Sequence, residues 1–201
     1  MTVAPPVRRR RSLKGEHRRV EIIHHASRFF SQSGFHNASI AEIAEAVGIS
    51  QAGLLHHFPS KADLLLAVLR ERDARVEEAE VDPRSYTQTF LNTLRKNEQD
   101  PALVKLFAIL SHEAIFAEHP AHHWFKERYS LLVARVAEAL GHVMCPDRLP
   151  RGTTVEDVAR LVVAAADGLR LQWLLEPEAL NRPDLIEQFF GLLRPYMSEP
   201  D

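Results

Sequence analysis

The chain has 201 residues, 45% of them hydrophobic, and a formal net charge of −2, a length that suits a small domain joined to a larger one. Its single cysteine, Cys145, excludes an intramolecular disulfide and any multi-cysteine metal site and suits a reducing cytoplasm. The apolar run Leu161 to Ala166 ends at Asp167, far short of the roughly 20 residues of a bilayer span, and the polar residues that follow Arg8 to Arg11 exclude a secretory signal.

Charge is divided unevenly. Residues 1–61 carry nine Lys/Arg against four Asp/Glu, a surplus of +5, and residues 62–201 carry 16 against 23, a deficit of −7. A phosphate-binding surface produces such an asymmetry, because Lys and Arg displace counterions from nucleic acid. A basic tail that tilts the count is the alternative.

Residues 1–15, with "APPVRRRR", read as a flexible basic arm that can follow a DNA backbone or enter a narrow minor groove. From Glu16 to Ser33, Val20, Ile23, Ala26, Phe29 and Phe30 recur at helical spacing and define one face. Gly34 ends that helix in the left-handed conformation. Ser39 caps a second helix, with Glu42 three residues on in a capping box, and Ile40, Ile43, Ala44 and Val47 form its inner face. Gly48 turns the chain through a positive φ, and Ser50 caps a short third helix running to Phe58. The small Ala44 lets these two helices cross closely, above Ile49, Leu54 and Phe58. The pair is a helix-turn-helix, whose second member enters the major groove and reads base edges near its N-terminus. Pro59 closes it, and Ser60 with Asp63 caps a fourth helix through about Glu80.

The stretch "SIAEIAEAVGISQAGLLHHFPSKADLL", residues 39–65, resembles the DNA-binding signature of the TetR (tetracycline-repressor-like) family of bacterial transcription regulators, and the resemblance extends back through "IIHHASRFFSQSGFHNAS". It implies an all-α chain of two domains: a three-helix helix-turn-helix domain over residues 16–62 and a helical effector-binding and dimerisation domain over residues 63–201. The function implied is that of a homodimeric repressor, released from a palindromic double-stranded DNA operator by a small-molecule effector. The candidate DNA contacts are Ser39, Ser50, Gln51, Ala52, Gly53, Leu55, His56, His57 and Lys61. Gln51 can pair with an adenine edge and Ala52 can touch a thymine methyl; Lys61 is a phosphate candidate. The family commonly has tyrosine where this chain has Leu55, so a contact through a phenolic hydroxyl is lost. It has a histidine or tyrosine reaching a phosphate at His57, for which the alternative is a half-buried packing histidine.

The rest of the chain also reads as helices, nine in all. Asp82–Pro83 and Asp100–Pro101 each place a capping aspartate before a first-turn proline and open the fifth and sixth, the sixth running to about Glu118. The seventh covers about His122 to Gly141. Thr153 and Glu156 form a capping box for the eighth, which runs to about Leu175, and Pro183 opens a ninth ending near Met197. The eighth is apolar around most of its circumference and needs a second partner. The resemblance assigns that partner to the two-fold mate, in a four-helix bundle, with Leu169, Leu185, Phe189 and Leu193 as interface candidates. The resemblance also puts an effector pocket among helices five to eight, with Phe90, Phe107, Phe116, Trp124, Phe125 and Trp173 as lining candidates; aromatic stripes also build cores. Asp167 and Arg170 are either an internal ion pair or part of the pocket or interface.

A second class of function would use the histidines. His112, Glu113, His119 and His122 could serve a metal-binding protein or a helical small-molecule enzyme, but Pro120 breaks helical registry between His119 and His122, and no third ligand or second shell is visible. No paired carboxylates, phosphate loop or activated nucleophile can be placed on the helices, so no enzyme, metal or cofactor is expected.

Overall fold

The computed structural model describes residues 13–77 and 86–198, which among themselves form nine α-helices and no strand. They are α1 (Leu13–Asn37), α2 (Ile40–Val47), α3 (Gln51–His57), α4 (Lys61–Glu77), α5 (Tyr86–Glu98), α6 (Pro101–Glu113), α7 (His122–Gly141), α8 (Val155–Leu175) and α9 (Arg182–Leu193). The basic cluster Arg8 to Arg11 and the Asp82–Pro83 helix start lie outside the described residues.

The short helices at the N-terminal end begin and stop where their caps dictate. Ser39 Oγ accepts the Glu42 N–H, and Gly48 adopts φ 73°, ψ 36°, closing α2 with bonds to the Ala44 and Glu45 carbonyls. Ser50 Oγ accepts the Gly53 N–H at 3.1 Å, and the Ser60 hydroxyl donates to Asp63 Oδ2 at 2.7 Å and accepts the Asp63 N–H at 3.1 Å. Each cap satisfies N–H groups that a helix start leaves without partners.

Two apolar cores result. The first joins Ile22, Phe30, Ile43, Leu54, Phe58, Leu64 and Leu65 to Phe107, Leu110 and Phe125, so it runs across the expected domain boundary at residue 62. The second joins α5, α7, α8 and α9 through Leu91, Val136, Val162, Ile186 and Phe190. Tyr129 packs against both. On α1 the buried face is Ile22, Ile23, Ala26 and Phe30, whereas Val20, expected inside, is half exposed.

Four expected element ends move. α9 ends at Leu193 rather than near Met197, and a separate 3-10 turn follows over Arg194–Tyr196. α6 stops at Glu113 rather than near Glu118, because the His122 ring nitrogen Nδ1 takes the Ala114 carbonyl at 2.8 Å. The capping box of α8 is Thr154 with Asp157 rather than Thr153 with Glu156: the Thr154 N–H and hydroxyl donate to Asp157 Oδ2, and the Asp157 N–H returns to Thr154 Oγ1. Glu156 instead pairs with Arg160 one turn on, at 2.7 Å. α1 continues past Gly34 to Asn37 through a kink, since Gly34 has φ 73° but ψ −177°, an extended mirror-image conformation essentially confined to glycine and not the left-handed helical one.

Candidate nucleic-acid interface

The helix-turn-helix presents a short third helix whose outer residues Gln51, Ala52 and His56 are exposed, with Gly53, Leu55 and His57 half-buried beside them. Ser39 and Ser50 sit at the N-termini of α2 and α3, where exposed N–H groups and the helix dipole favour phosphate. These positions share one face with no acidic residue of α3 itself.

Several basic residues of this head are committed to holding it together. Arg18 Nη1 donates to the Val47 carbonyl at the end of α2 at 3.1 Å. Arg19 Nη1 donates to the His57 carbonyl at the end of α3 at 3.2 Å and lies 4.1 Å over the Phe58 ring. Lys61 Nζ donates to the His36 and Ala38 carbonyls at the end of α1, at 3.0 and 3.1 Å, and stands 4.7 Å over Phe35. Each helix C-terminus thus receives a cation from another helix, the sign its dipole favours. Two of the three Lys61 N–H groups are occupied, so its main duty is the α1–α4 joint; the charge count alone could not show this. Lys61→Met is expected to lower stability by about 1 kcal/mol and to change the salt dependence of DNA binding less than a free phosphate contact would. Thermal denaturation beside a salt titration checks it; an unchanged melting temperature would contradict the joint.

The same joint is gripped from α6. Glu113 Oε2 accepts the Phe35 N–H at 2.9 Å, and the space for its carboxylate exists because residue 34 has no Cβ. His119 is buried behind it, its Nδ1 accepting the Ala121 N–H at 3.2 Å and its Nε2 lying 3.6 Å from Glu113 Oε2. With Nδ1 accepting, the neutral ring carries its proton on Nε2. Burial, opposed in part by Glu113, holds the His119 pKa below the usual 6.5. A depressed histidine pKa gives stability that is complete above the unfolded value and is lost as pH falls below about 6.5 toward the folded value. His119→Gln is therefore expected to flatten the loss of stability between about pH 6.5 and 5, read as melting temperature against pH; equal slopes for both proteins would contradict this.

The other histidines do not gather a metal. His112 Nδ1 is 2.6 Å from the Ala108 carbonyl, His122 Nδ1 is on that of Ala114, and no group of three metal-ligating residues occurs among the described residues.

Family comparison settles the class. The family described as "Bacterial regulatory proteins, tetR family" matches residues 22–68, and "BetI-type transcriptional repressor, C-terminal" matches residues 84–191, more than half of the chain. The chain belongs to the TetR family. It is a DNA-binding transcriptional regulator and not an enzyme. It is 27% identical over 184 residues to the HTH-type transcriptional regulator TtgR of Pseudomonas putida, covering 86% of this chain and 88% of TtgR. It is 24% identical over 196 residues to the regulator AcrR of Shigella flexneri, covering 92% and 91%. Among solved structures, NalD of Pseudomonas aeruginosa, the secondary repressor of the MexAB-OprM multidrug efflux pump, superposes with a TM-score of 0.71 at 21% identity, over 93% of this chain and 99% of NalD.

In this TetR-family chain the aromatic pocket candidates are dispersed. Phe107, Trp124 and Phe125 stack edge-on at 4.8 to 5.8 Å around the first core. Phe90 meets Phe190 at 6.0 Å in the second, and Phe116 is 70% exposed in the turn after α6. Trp173 is half-buried under the Arg182 guanidinium, 5.2 Å away. A half-open cavity of about 560 Å³ lies instead between α7 and α8, lined by Tyr129, Val133, Ala134, Ala137, Val163 and Asp167 among others, and none of the six aromatics lines it. Asp167 Oδ1 pairs with Arg170 at 3.2 Å and Oδ2 accepts the Tyr129 hydroxyl at 2.5 Å.

The interface candidates are all partly covered by the chain itself. Leu169, Phe189 and Leu193 are half-buried against the chain's own second core, and Leu185 is half-buried on α9. The outward stripe of α8 is Leu161, Ala164, Gly168, Leu171 and Leu175, all exposed and spaced three and four residues apart, with Leu192 exposed on α9. That spacing is the one that helix–helix seams use, and nothing lies within 4 Å of a Cβ built on Gly168. The register was lost in the sequence because both faces of α8 are apolar.

No helix among the described residues is long and apolar enough to cross a membrane.

Proposed function

We propose that the chain is a homodimeric repressor that binds a palindromic operator through α3 and releases it when a small molecule occupies the helical domain. The observation that supports this reading is the outward leucine stripe of α8, a face suited to a two-fold mate; a two-fold dimer reading a palindrome needs its two copies of α3 in successive major grooves, roughly 34 to 36 Å apart. The grip of Glu113 on Phe35 supplies the coupling: any displacement of the C-terminal end of α6 pulls on the joint from which α2 starts. A coupling of about 1 to 3 kcal/mol changes operator affinity 5- to 150-fold.

Gln51, Ala52 and His56 are the base-reading residues in this proposal, with Ser39, Ser50 and His57 positioning the backbone. Gln51→Ala is expected to cost about 1 to 3 kcal/mol at one base position and to relax preference there. Fluorescence anisotropy on operator variants and random duplex checks it. Equal loss on both would mean that Gln51 does not read a base.

A further inference from the structure

The two cores meet at Tyr129, and there a band of charged side chains crosses the interior. Asp73 on α4 is shared by Arg72, at 3.4 Å, and by Arg128 of α7, whose Nε lies 3.1 Å from both its oxygens. Asp167 serves Arg170 and Tyr129 on α8 and α7. Glu98 at the end of α5 lies 3.2 Å from Arg182 Nε, off the line of its N–H, so neither atom counts a hydrogen-bond partner.

Among the described residues the band is one carboxylate short. Four guanidiniums, Arg72, Arg128, Arg170 and Arg182, face three carboxylates, Asp73, Asp167 and Glu98. Arg182 is 2% exposed, and the Arg72 side chain is 10% exposed and stacked 3.8 Å over Phe107. The Nε of Arg72, Arg170 and Arg182 and the Nη2 of Arg182 are buried with no acceptor among the described residues. A buried unpaired donor costs about 1 to 3 kcal/mol, more when it is charged, and an uncompensated buried charge more still. The Arg72 pKa is pushed down to about 10 by burial first and then by Arg128, with Arg170 adding to it, and Arg170 likewise depresses Arg182. Geometry links the same groups: Arg128 and Tyr129, adjacent on α7, bind Asp73 and Asp167, and Trp173, one turn after Arg170 on α8, has the Arg182 guanidinium 5.2 Å from its ring.

We propose that the effector of this regulator is a small organic carboxylate, taken up by Arg72, Arg170 and Arg182 in the charged band between the two cores. The carboxylate supplies the acceptors that the guanidinium forks lack, and planar bidentate pairing is what such forks favour. Room for a ligand body adjoins the band, because Tyr129 and Asp167 also line the cavity between α7 and α8, whose walls combine the apolar Val133, Ala137, Val163 and Ala164 with the charged Glu156 and Arg160. Both oxygens of Asp167 are already engaged, and against the one unbonded acceptor, Glu98 Oε1, stand four unbonded guanidinium nitrogens among the described residues, so the net unmet demand is for an anion. A ligand there ties α4, which carries the reading head, to α8, which carries the seam. This inference rests on the regulator reading for its consequence, but the binding site stands on the arginine geometry alone.

The test uses the full-length protein at fixed ionic strength, with benzoate and octanoate as probes, benzamide and octanamide as their neutral counterparts, and choline as the cation. Thermal denaturation and calorimetry read binding; anisotropy on a selected operator duplex reads release. The acids are expected to raise the melting temperature and release the duplex, with the amides weaker by about tenfold or more. Arg170→Lys should weaken the acids by a similar factor and leave the amides unchanged; Arg72→Met, checked by its acid-free operator affinity, should do the same. Acids and amides acting alike, choline acting while the acids do not, or no acid shifting the melting temperature would each overturn the proposal. A chain that bound benzoate over benzamide yet bound no duplex would keep the anion site and refute the regulator reading instead.

Discussion

Gly34→Ala is expected to destabilise the protein by about 3 to 5 kcal/mol, lowering the melting temperature by roughly 10 °C. Two costs combine. The backbone at φ 73°, ψ −177° is one that an L side chain occupies only with about 1 to 3 kcal/mol of strain. The new Cβ would also collide with the Glu113 carboxylate, forcing it off the Phe35 N–H and breaking a bond to a charged group worth about 1.5 to 3 kcal/mol. Gly48→Ala is the contrast. Gly48 also has positive φ, but nothing lies within 4 Å of its Cβ position, so only the left-handed penalty of about 1 to 2 kcal/mol applies. Chemical denaturation of the two variants separates the cases, and equal losses would show that Glu113 does not latch the head to α6. Because the latch joins α6 to α1, the Gly34 variant should also respond less to any effector that the wild type obeys.

Leu171→Glu is expected to turn a dimer into a monomer. Leu171 is 45% exposed and lies mid-stripe on α8 between Gly168 and Leu175, so a carboxylate there leaves the chain's own cores intact. In an isologous interface every substitution appears twice. Two carboxylates would be buried per dimer, each unpaired and costing several kcal/mol, which raises the dissociation constant by at least about a thousandfold. Sedimentation should show a monomer at micromolar concentration, with operator binding lost alongside, since half-sites are then bound singly. The same change at Leu193 or Phe189 would be harder to interpret, because both pack on the second core. A Leu171→Glu protein that still sedimented as a dimer would place the interface elsewhere.

Much of the reading head was legible because its signals are local. Ser39, Gly48, Ser50, Ser60 and Asp63 act on residues two to four positions away, so a one-dimensional reading suffices to place α2, the turn, α3 and the start of α4. What escaped depends on contacts distant in the chain. The part of Lys61 in the α1–α4 joint is not legible because nothing in its neighbourhood reveals that His36 and Ala38, 25 and 23 residues earlier, present their carbonyls to it. Thr153 and Thr154 each precede an acid by three residues, so a capping rule cannot choose between them. Four of the six aromatic candidates for the pocket, Phe90, Phe107, Trp124 and Phe125, pack in or against the cores, and the charged band was invisible because Arg72, Glu98, Arg128, Arg170 and Arg182 lie on five different helices. Only Asp167 and Arg170 gave a local hint, at one helical turn.

Selection of tight-binding duplexes from a random pool by the full-length protein tests the central claim most directly. A dimer presenting two α3 helices predicts enrichment of one inverted repeat, with half-sites centred about one helical turn apart or a multiple of it and protected equally in a footprint. Enrichment of an asymmetric site, or of no sequence at all over the starting pool, would contradict a two-fold regulator reading DNA through Gln51 and its neighbours.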